Sequence, residues 1–289
     1  LYLIHATTND DHDGCYDALW TYQRIVSILE AGGQPNMVVV APRFLRDNCP
    51  SPGDTHPYGY PLSWGYQNLE GEDDWILMDI HEDYTRTRFP AATTGADERF
   101  YMLGHSGGGQ YVTRFAMGHA DKLIRAVASS PWGTAYPTGE YEWSFGTYLP
   151  SDFTAGNPRF TIDLDEVRTL PLAVVLAEND VDPDRGDGDV GVLARSRRDN
   201  AMKWIRQMDS GSIQLYVVPE RGHWFSRPKQ DIGMAFLFGD PSPWDHWLYS
   251  SPSPDFQDQE QRDVMPYAIP DGELYYFDLV RFVRDTRRV

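Results

Sequence analysis

The sequence predicts an α/β protein: a mostly parallel central sheet with helices on both faces and a cap insertion. Three observations lead there. Short apolar, largely β-branched runs recur along the chain, separated by segments whose apolar residues repeat at helical spacing. One such run, ending in Tyr101-Met102-Leu103, passes through Gly104-His105-Ser106-Gly107-Gly108 directly into a helical segment. Residues able to do chemistry (His5, Ser106, the stretch Glu178 to Asp182, and His223) fall just after apolar runs. In a parallel sheet that is the carboxyl edge, where sites are built. Strand–helix alternation favours this architecture because right-handed crossovers return each strand beside the last.

The bulk numbers set limits. The 289 residues suffice for one large α/β domain or a core plus an insertion, and 41% hydrophobic with 13% aromatic residues supply a sizeable core. The formal net charge is -18, and lysine occurs only at Lys122, Lys203 and Lys229. No basic cluster exists, which argues against a nucleic-acid partner. No apolar run has the length of a membrane span. The acidity suits a saline or extracellular setting, so a secreted location is favoured over a cytoplasmic one. The chain opens inside a strand without a signal peptide, as a processed secreted chain, a trimmed chain or an incomplete one would. Cys15 and Cys49, the two cysteines, form either one bridge or two buried thiols.

In chain order, Leu1 to His5 reads as a short strand followed by a polar loop. Ala18, Leu19, Tyr22, Ile25, Val26, Ile28 and Leu29 mark a helix ended by Gly32-Gly33. Asn36 to Ala41, NMVVVA, reads as a strand buried on both faces, stopped by Pro42. Arg43 to Gly71 is a long loop carrying Tyr58, Tyr60, Trp64 and Tyr66; its aromatics argue for function rather than disorder. Asp73 to Arg86 is a helix, Arg99 to Leu103 a strand, Gly108 to Gly118 a helix and Leu123 to Ser129 a strand. Pro131 to Leu170, rich in Pro, Gly and aromatics, breaks the alternation and is expected to be a cap over the sheet end. Pro171 to Ala177 resumes as strand, Val192 to Met208 as helix, Ile213 to Val218 as strand and Gln230 to Phe238 as helix. The tail beyond Asp240 is irregular, with Glu273 to Phe282 readable as strand or short helix. The expected division is a core of residues 1–131 and 171–239, a cap of 132–170 and an extension of 240–289 packed on the core.

Ser106 is the candidate nucleophile. Small residues must flank it where strand and helix crowd together, and the helix beyond aims free N–H groups at it. A serine hydroxyl needs a base within hydrogen-bonding reach. Among eight histidines, His223 is the candidate: it follows a strand and Arg221-Gly222, and aromatics flank it. His105 is expected to face the core and His119 to complement a helix dipole, while His12, His56, His81 and His246 read as surface or loop residues. A carboxylate must hold the histidine tautomer. Asp180, three residues past Ala177, is preferred; Asp182 and then Glu178 are alternatives. Asp180, Asp182, Asp184, Asp187 and Asp189 also allow a calcium reading, but the terminal Glu of a known calcium loop is missing. No metal or cofactor is expected. The oxyanion calls for two N–H donors, that of Gly107 and one after the first strand, for which Thr7 is best placed.

These motifs resemble the α/β-hydrolase superfamily across nearly the whole chain. The order strand-His5-Ala6, GHSGGG, cap, AENDVDP from Ala177, and Gly222-His223-Trp224 is similar to that superfamily's oxyanion loop, nucleophile elbow, insertion, acid turn and histidine loop. GHSGGGQ, APRF after the NMVVV strand and the END-x-DP turn resemble serine esterases related to polyester (polyhydroxyalkanoate-type) depolymerases. The chain departs in having His5-Ala6 where that loop usually begins His-Gly, and in having no strands before Leu1. The resemblance implies a serine carboxylic-ester hydrolase with a Ser106–His223–Asp180 triad, acting on a small-molecule or polymeric ester. Trp132, Trp143, Trp224 and Tyr66 are candidate pocket residues for an apolar or aromatic group; equally, such aromatics pack a cap onto its body. The same triad serves amidases, peptidases and C–C hydrolases, and a hydrolase-like binding protein is a further alternative.

Overall fold

The computed structural model of the chain describes residues 1–4, 6, 25–26, 38–42, 69, 73–83, 85–86, 99–141, 143, 146–148, 161–180, 197–218, 222–223, 225–238, 267–268 and 274–275. Thr7, Tyr66, Trp224, Cys15, Cys49, Asp182 and the rest of the acidic stretch to Asp189 lie outside the described residues.

Five strands form one sheet: β1 (Tyr2–Ile4), β2 (Phe100–His105), β3 (Leu123–Ser129), β4 (Leu172–Ala177) and β5 (Ile213–Val218). They lie side by side in chain order and every pair is parallel. Five helices are described with them: α1 (Asp73–Asp83), α2 (Gly107–His119), α3 (Leu164–Thr169), α4 (Arg197–Met208) and α5 (Arg227–Phe238).

The period of two in the strands sorts their side chains onto two faces. Tyr2, Ile4, Met102, Ala126, Ala128, Leu172, Val174 and Leu176 share one core with Tyr111, Val112 and Phe115 of α2 and Ala201, Trp204 and Met208 of α4. Leu3, Leu103, Val127, Ala173 and Val175 share the other with Ile232, Met234, Ala235 and Phe236 of α5. Tyr111, Phe115 and Trp204 are fully buried, and burying each large apolar side chain contributes on the order of 1.5–3 kcal/mol.

The structure corrects several boundaries. NMVVVA does not form a regular strand over its described residues. It runs along the outer edge of β1 through a single parallel bridge, Tyr2 to Val40, with Leu3 N donating to Val40 O at 2.8 Å and Val40 N to Leu1 O at 2.9 Å. β2 continues to His105, two residues beyond the expected end, because its ladder to β3 persists to Ser129. α5 begins at Arg227 rather than Gln230. Pro228 falls in its first turn, where a missing N–H costs nothing.

α3 lies within the stretch expected to be cap. Asp163 caps it, its side chain accepting from the amides of Asp165 and Glu166. Trp143, Ala135 and Tyr136 of the same stretch are buried in the core on the α2 face. Leu274–Tyr275 pairs antiparallel with Tyr267–Ala268 as a separate two-stranded sheet, so that part of the tail is strand and does not extend the central sheet.

Candidate active site

Ser106 stands between β2 and α2. Its amide donates to Ser129 O at 2.8 Å, one ladder step beyond β2, and its backbone then takes φ 54 and ψ -116. Such a φ is strained for a residue with a Cβ. The strain turns the chain sharply enough for α2 to start at the next residue. Close approach on both sides makes this possible: a Cβ on Gly104 would sit 2.2 Å from Gly108 O, and one on Gly109 2.6 Å from Ser129 O. Ser106 is half-buried, so its hydroxyl stays reachable.

His223 and Asp180 meet it at the same sheet edge. Ser106 Oγ lies 2.8 Å from His223 Nε2, and His223 Nδ1 lies 3.2 Å from each carboxylate oxygen of Asp180. An ionised carboxylate only accepts, so Nδ1 carries the proton and Nε2 is left to accept from Ser106. Asp180 follows β4 by a tight turn, its amide donating to Ala177 O at 3.1 Å. It is buried, whereas Glu178 is half-exposed and continues the ladder to Val218 through its amide. Burial pushes the Asp180 carboxyl up, but hydrogen bonds from His223 and Ser130 and the charges of His223 and Lys229 outweigh it. They hold the group well below the usual carboxylate range.

Three supports were not singled out from the sequence. Arg197, at the start of α4, donates through Nη1 to Asp180 Oδ1 at 3.1 Å. Ser130, at φ 46, lies one strand away from Ser106, and its hydroxyl helps hold the Asp180 carboxyl low. Lys229, fully buried on α5, donates to Ser130 Oγ at 2.7 Å. A positional signal existed for Ser130, which follows an apolar strand just as Ser106 does. Arg197 opens its helix and Lys229 sits inside one, and neither position marks a link to the Asp180 site.

His105 faces inward, as expected. Its ring stacks on Phe225 with centroids 4.9 Å apart and lies 5.1 Å from the His223 ring, and its Nδ1 is 3.1 Å from Ser129 Oγ. Burial, then the charges of Lys229 and His223, lower its pKa well below the ordinary histidine value, so it backs His223 as a neutral ring. His119 ends α2 as expected, and its Nε2 bonds Asp74 Oδ2 of α1 at 2.9 Å. His81 is not a surface residue: it is half-buried, its Nδ1 3.1 Å from Tyr2 Oη and its ring tilted against Phe100.

Gly107 opens α2, where first-turn N–H groups have no intrahelical acceptor. It is therefore placed to donate beside Ser106. Trp132 is half-buried two residues past Ser130, its carbonyl accepting from Asn200 Nδ2 at 3.4 Å. Trp143 packs in the core at 5% exposure, as its alternative reading as cap packing has it. Among the described residues no group of three or more His, Cys, Asp or Glu side chains could hold a metal ion, and no helix is long and apolar enough to cross a membrane.

An all-parallel sheet flanked by helices on both faces, with a strained serine between strand and helix and a histidine and an aspartate after later strands, defines the α/β-hydrolase fold, and this chain has that fold. Known structures agree. The chain is similar to LpqC, a poly(3-hydroxybutyrate) depolymerase from Bordetella parapertussis, at a TM-score of 0.52 and 16% identity over 88% of this chain and 80% of that one. It is equally similar to poly(aspartic acid) hydrolase-1 from Sphingomonas sp. KT-1, at a TM-score of 0.52 and 16% identity over 81% of this chain and 86% of that one. No protein-family model and no curated protein sequence matches the chain.

Proposed function

We propose that the protein is a serine carboxylic-ester hydrolase working through an acyl-enzyme. The observation that carries this is the unbroken relay from Ser106 Oγ at 2.8 Å to His223 Nε2 and from His223 Nδ1 at 3.2 Å to both oxygens of Asp180. In this reading Ser106 Oγ attacks the ester carbonyl while its proton passes to His223 Nε2. Asp180 stabilises the resulting imidazolium. The tetrahedral oxyanion lies against the Gly107 N–H and a second donor assigned to Thr7. Collapse expels the alcohol, which takes the proton from His223. Water, deprotonated by the same ring, then cleaves the acyl-serine and releases the acid.

The substrate class rests on Trp132, half-buried after β3, and on the sequence-based expectation for Trp224 and Tyr66; such residues suit an apolar or aromatic ester, or a polyester chain. In this scheme residues 132–170 act as a cap over the site. The fold shared with a protein named as a poly(3-hydroxybutyrate) depolymerase is compatible with that class.

The test is fluorophosphonate labelling with peptide mapping, on wild type and His223→Ala, followed by paired ester and amide analogues. A label on Ser106 that disappears in His223→Ala, with ester turned over faster than amide, is the expected result. A folded wild type that takes no label would refute the reading. Faster turnover of the amide would move the protein to the amidases.

A further inference from the structure

Lys229 has 0% exposure, which is rare for a lysine and demands that its protons be met. Its ammonium has three, and three acceptors surround it: Ser130 Oγ at 2.7 Å, Gly222 O at 2.9 Å and His223 O at 3.2 Å. All three belong to the site. Two are backbone carbonyls of the loop that presents the His223 ring. The third belongs to a serine held at φ 46, whose hydroxyl favours the ionised Asp180 carboxylate. Since Ser130 Oγ accepts from a cation that has no lone pair, its own proton is free to point at the carboxylate. A strained non-glycine backbone persists where its surroundings over-determine it, and it clusters at functional sites.

We propose that Lys229 is a positioning residue for the Ser106–His223–Asp180 relay, fixing the His223 loop by two carbonyls and holding the Ser130 hydroxyl beside it. The inference rests on the serine-hydrolase reading above. Lys229 is fully buried and passes no proton in the reaction scheme. Its charge balances the buried Asp180 carboxylate at one remove, so it does not compete for the oxygens that accept from His223. Arg197, by contrast, bonds Oδ1 directly.

The arrangement ties activity to the charge on Lys229. Burial pushes its pKa down to about 8, Asp180 pulling it back up and Arg197 lowering it further. Among the described residues, the charged or titratable groups facing it are Asp180 after β4, Arg197 on α4, His105 at the end of β2 and His223 on its loop. Above that pH the neutral amine has two protons for three acceptors. One support is lost, and the rate falls as pH rises.

The experiment measures the rate of fluorophosphonate labelling at Ser106, with kcat and KM on a simple ester, from about pH 6 to about pH 10. Wild type, Lys229→Met and Ser130→Ala are compared, each checked for fold by near-ultraviolet circular dichroism. Lys229→Met is expected to lower kcat and labelling about 10- to 100-fold at neutral pH, since small misplacements cost that much. Its KM should stay within about twofold, and the alkaline decline should vanish. Ser130→Ala should lower kcat in the same direction and keep the decline. A merely structural lysine predicts otherwise: a folded Lys229→Met with wild-type rates, or with the same alkaline decline, overturns the proposal. If Lys229→Met does not fold, Ser130→Ala decides, and an unchanged kcat there overturns it. Wild type that takes no label at Ser106 sinks the hydrolase reading and this inference with it.

Discussion

Ser106 and Ser130 leave the sheet in the same way from neighbouring strands. Ser106 N donates to Ser129 O and Ser130 N to Val175 O, both at 2.8 Å, and each serine then takes a positive φ, 54 and 46. The parallel ladder thus runs one residue past β2 and past β3 before each chain turns away. The first turn exposes a hydroxyl to the site; the second sets one to accept from Lys229. Two adjacent strained serines on one sheet edge are the backbone basis of the candidate site.

The first prediction concerns the relay itself. Ser106→Ala should abolish ester turnover while changing stability by no more than about 0.5 kcal/mol, since the hydroxyl is half-exposed. Asp180→Asn should lower kcat on the order of 10⁴-fold, because an amide can leave His223 in the wrong tautomer. The same substitution has a pH signature. Asp180 is held below its ordinary value of 3.8, so its contribution to stability is present above that value and is lost as pH falls below it. Denaturant midpoints should therefore fall less steeply with acid in Asp180→Asn than in wild type.

Much of this was legible from the chain because it is local. A strand, a glycine-flanked serine and a helix follow one another within Phe100 to His119. His223 and Asp180 each stand just past an apolar run, and parallel topology carries them to one edge. What stayed hidden depends on pairs far apart in sequence. Lys229 meets Ser130 across 99 residues and Arg197 meets Asp180 across 17, and no periodicity encodes either contact. Trp143 had two readings from the chain, pocket wall or packing of the cap onto its body, and its side chain is buried in the core. The Asp163-capped α3 was readable in principle, since Asp163 precedes Asp165 and Glu166 at a helix start.

Gly104 is predicted to tolerate no side chain. A Cβ there would lie 2.2 Å from the Gly108 carbonyl oxygen and 2.9 Å from Val112 Cγ2. The first obstacle is backbone, so relief requires α2 to move off β2. Gly104→Ala should cost about 3 kcal/mol or more, read as a lower urea midpoint. Any folded population should label poorly at Ser106, because the same displacement moves the elbow. Near-normal stability would mean that the helix start is more compliant than its packing implies.

His105 should make the protein acid-sensitive. Its folded pKa lies well below 6.5 because of burial and then the nearby charges of Lys229 and His223. As pH falls through 6.5 the unfolded chain takes up a proton that the folded chain refuses, so stability drops. His105→Phe keeps a flat ring against Phe225 but has nothing to protonate. It loses the bond to Ser129 Oγ, costing about 1 kcal/mol at neutral pH. The predicted result is a variant slightly less stable than wild type near pH 7 whose deficit narrows or reverses near pH 5. Parallel pH profiles for the two proteins would assign the acid sensitivity elsewhere.

The bond between Asp74 and His119 offers a way to separate stability from site geometry. Both side chains are buried, and Asp74 Oδ2 accepts from His119 Nε2 at 2.9 Å. It joins the start of α1 to the end of α2, 13 residues from the elbow, or about 20 Å along the helix axis. Asp74→Ala removes a buried charged acceptor and should lower stability by about 1–3 kcal/mol. Labelling at Ser106 should proceed at the wild-type rate, because α2 is fixed near the site by the close packing of Gly104 and Gly109 rather than by its far end. Measuring the denaturant midpoint and the labelling rate on one preparation of Asp74→Ala tests both halves. A loss of labelling in fully folded protein would show that the far end of α2 also sets the position of Ser106.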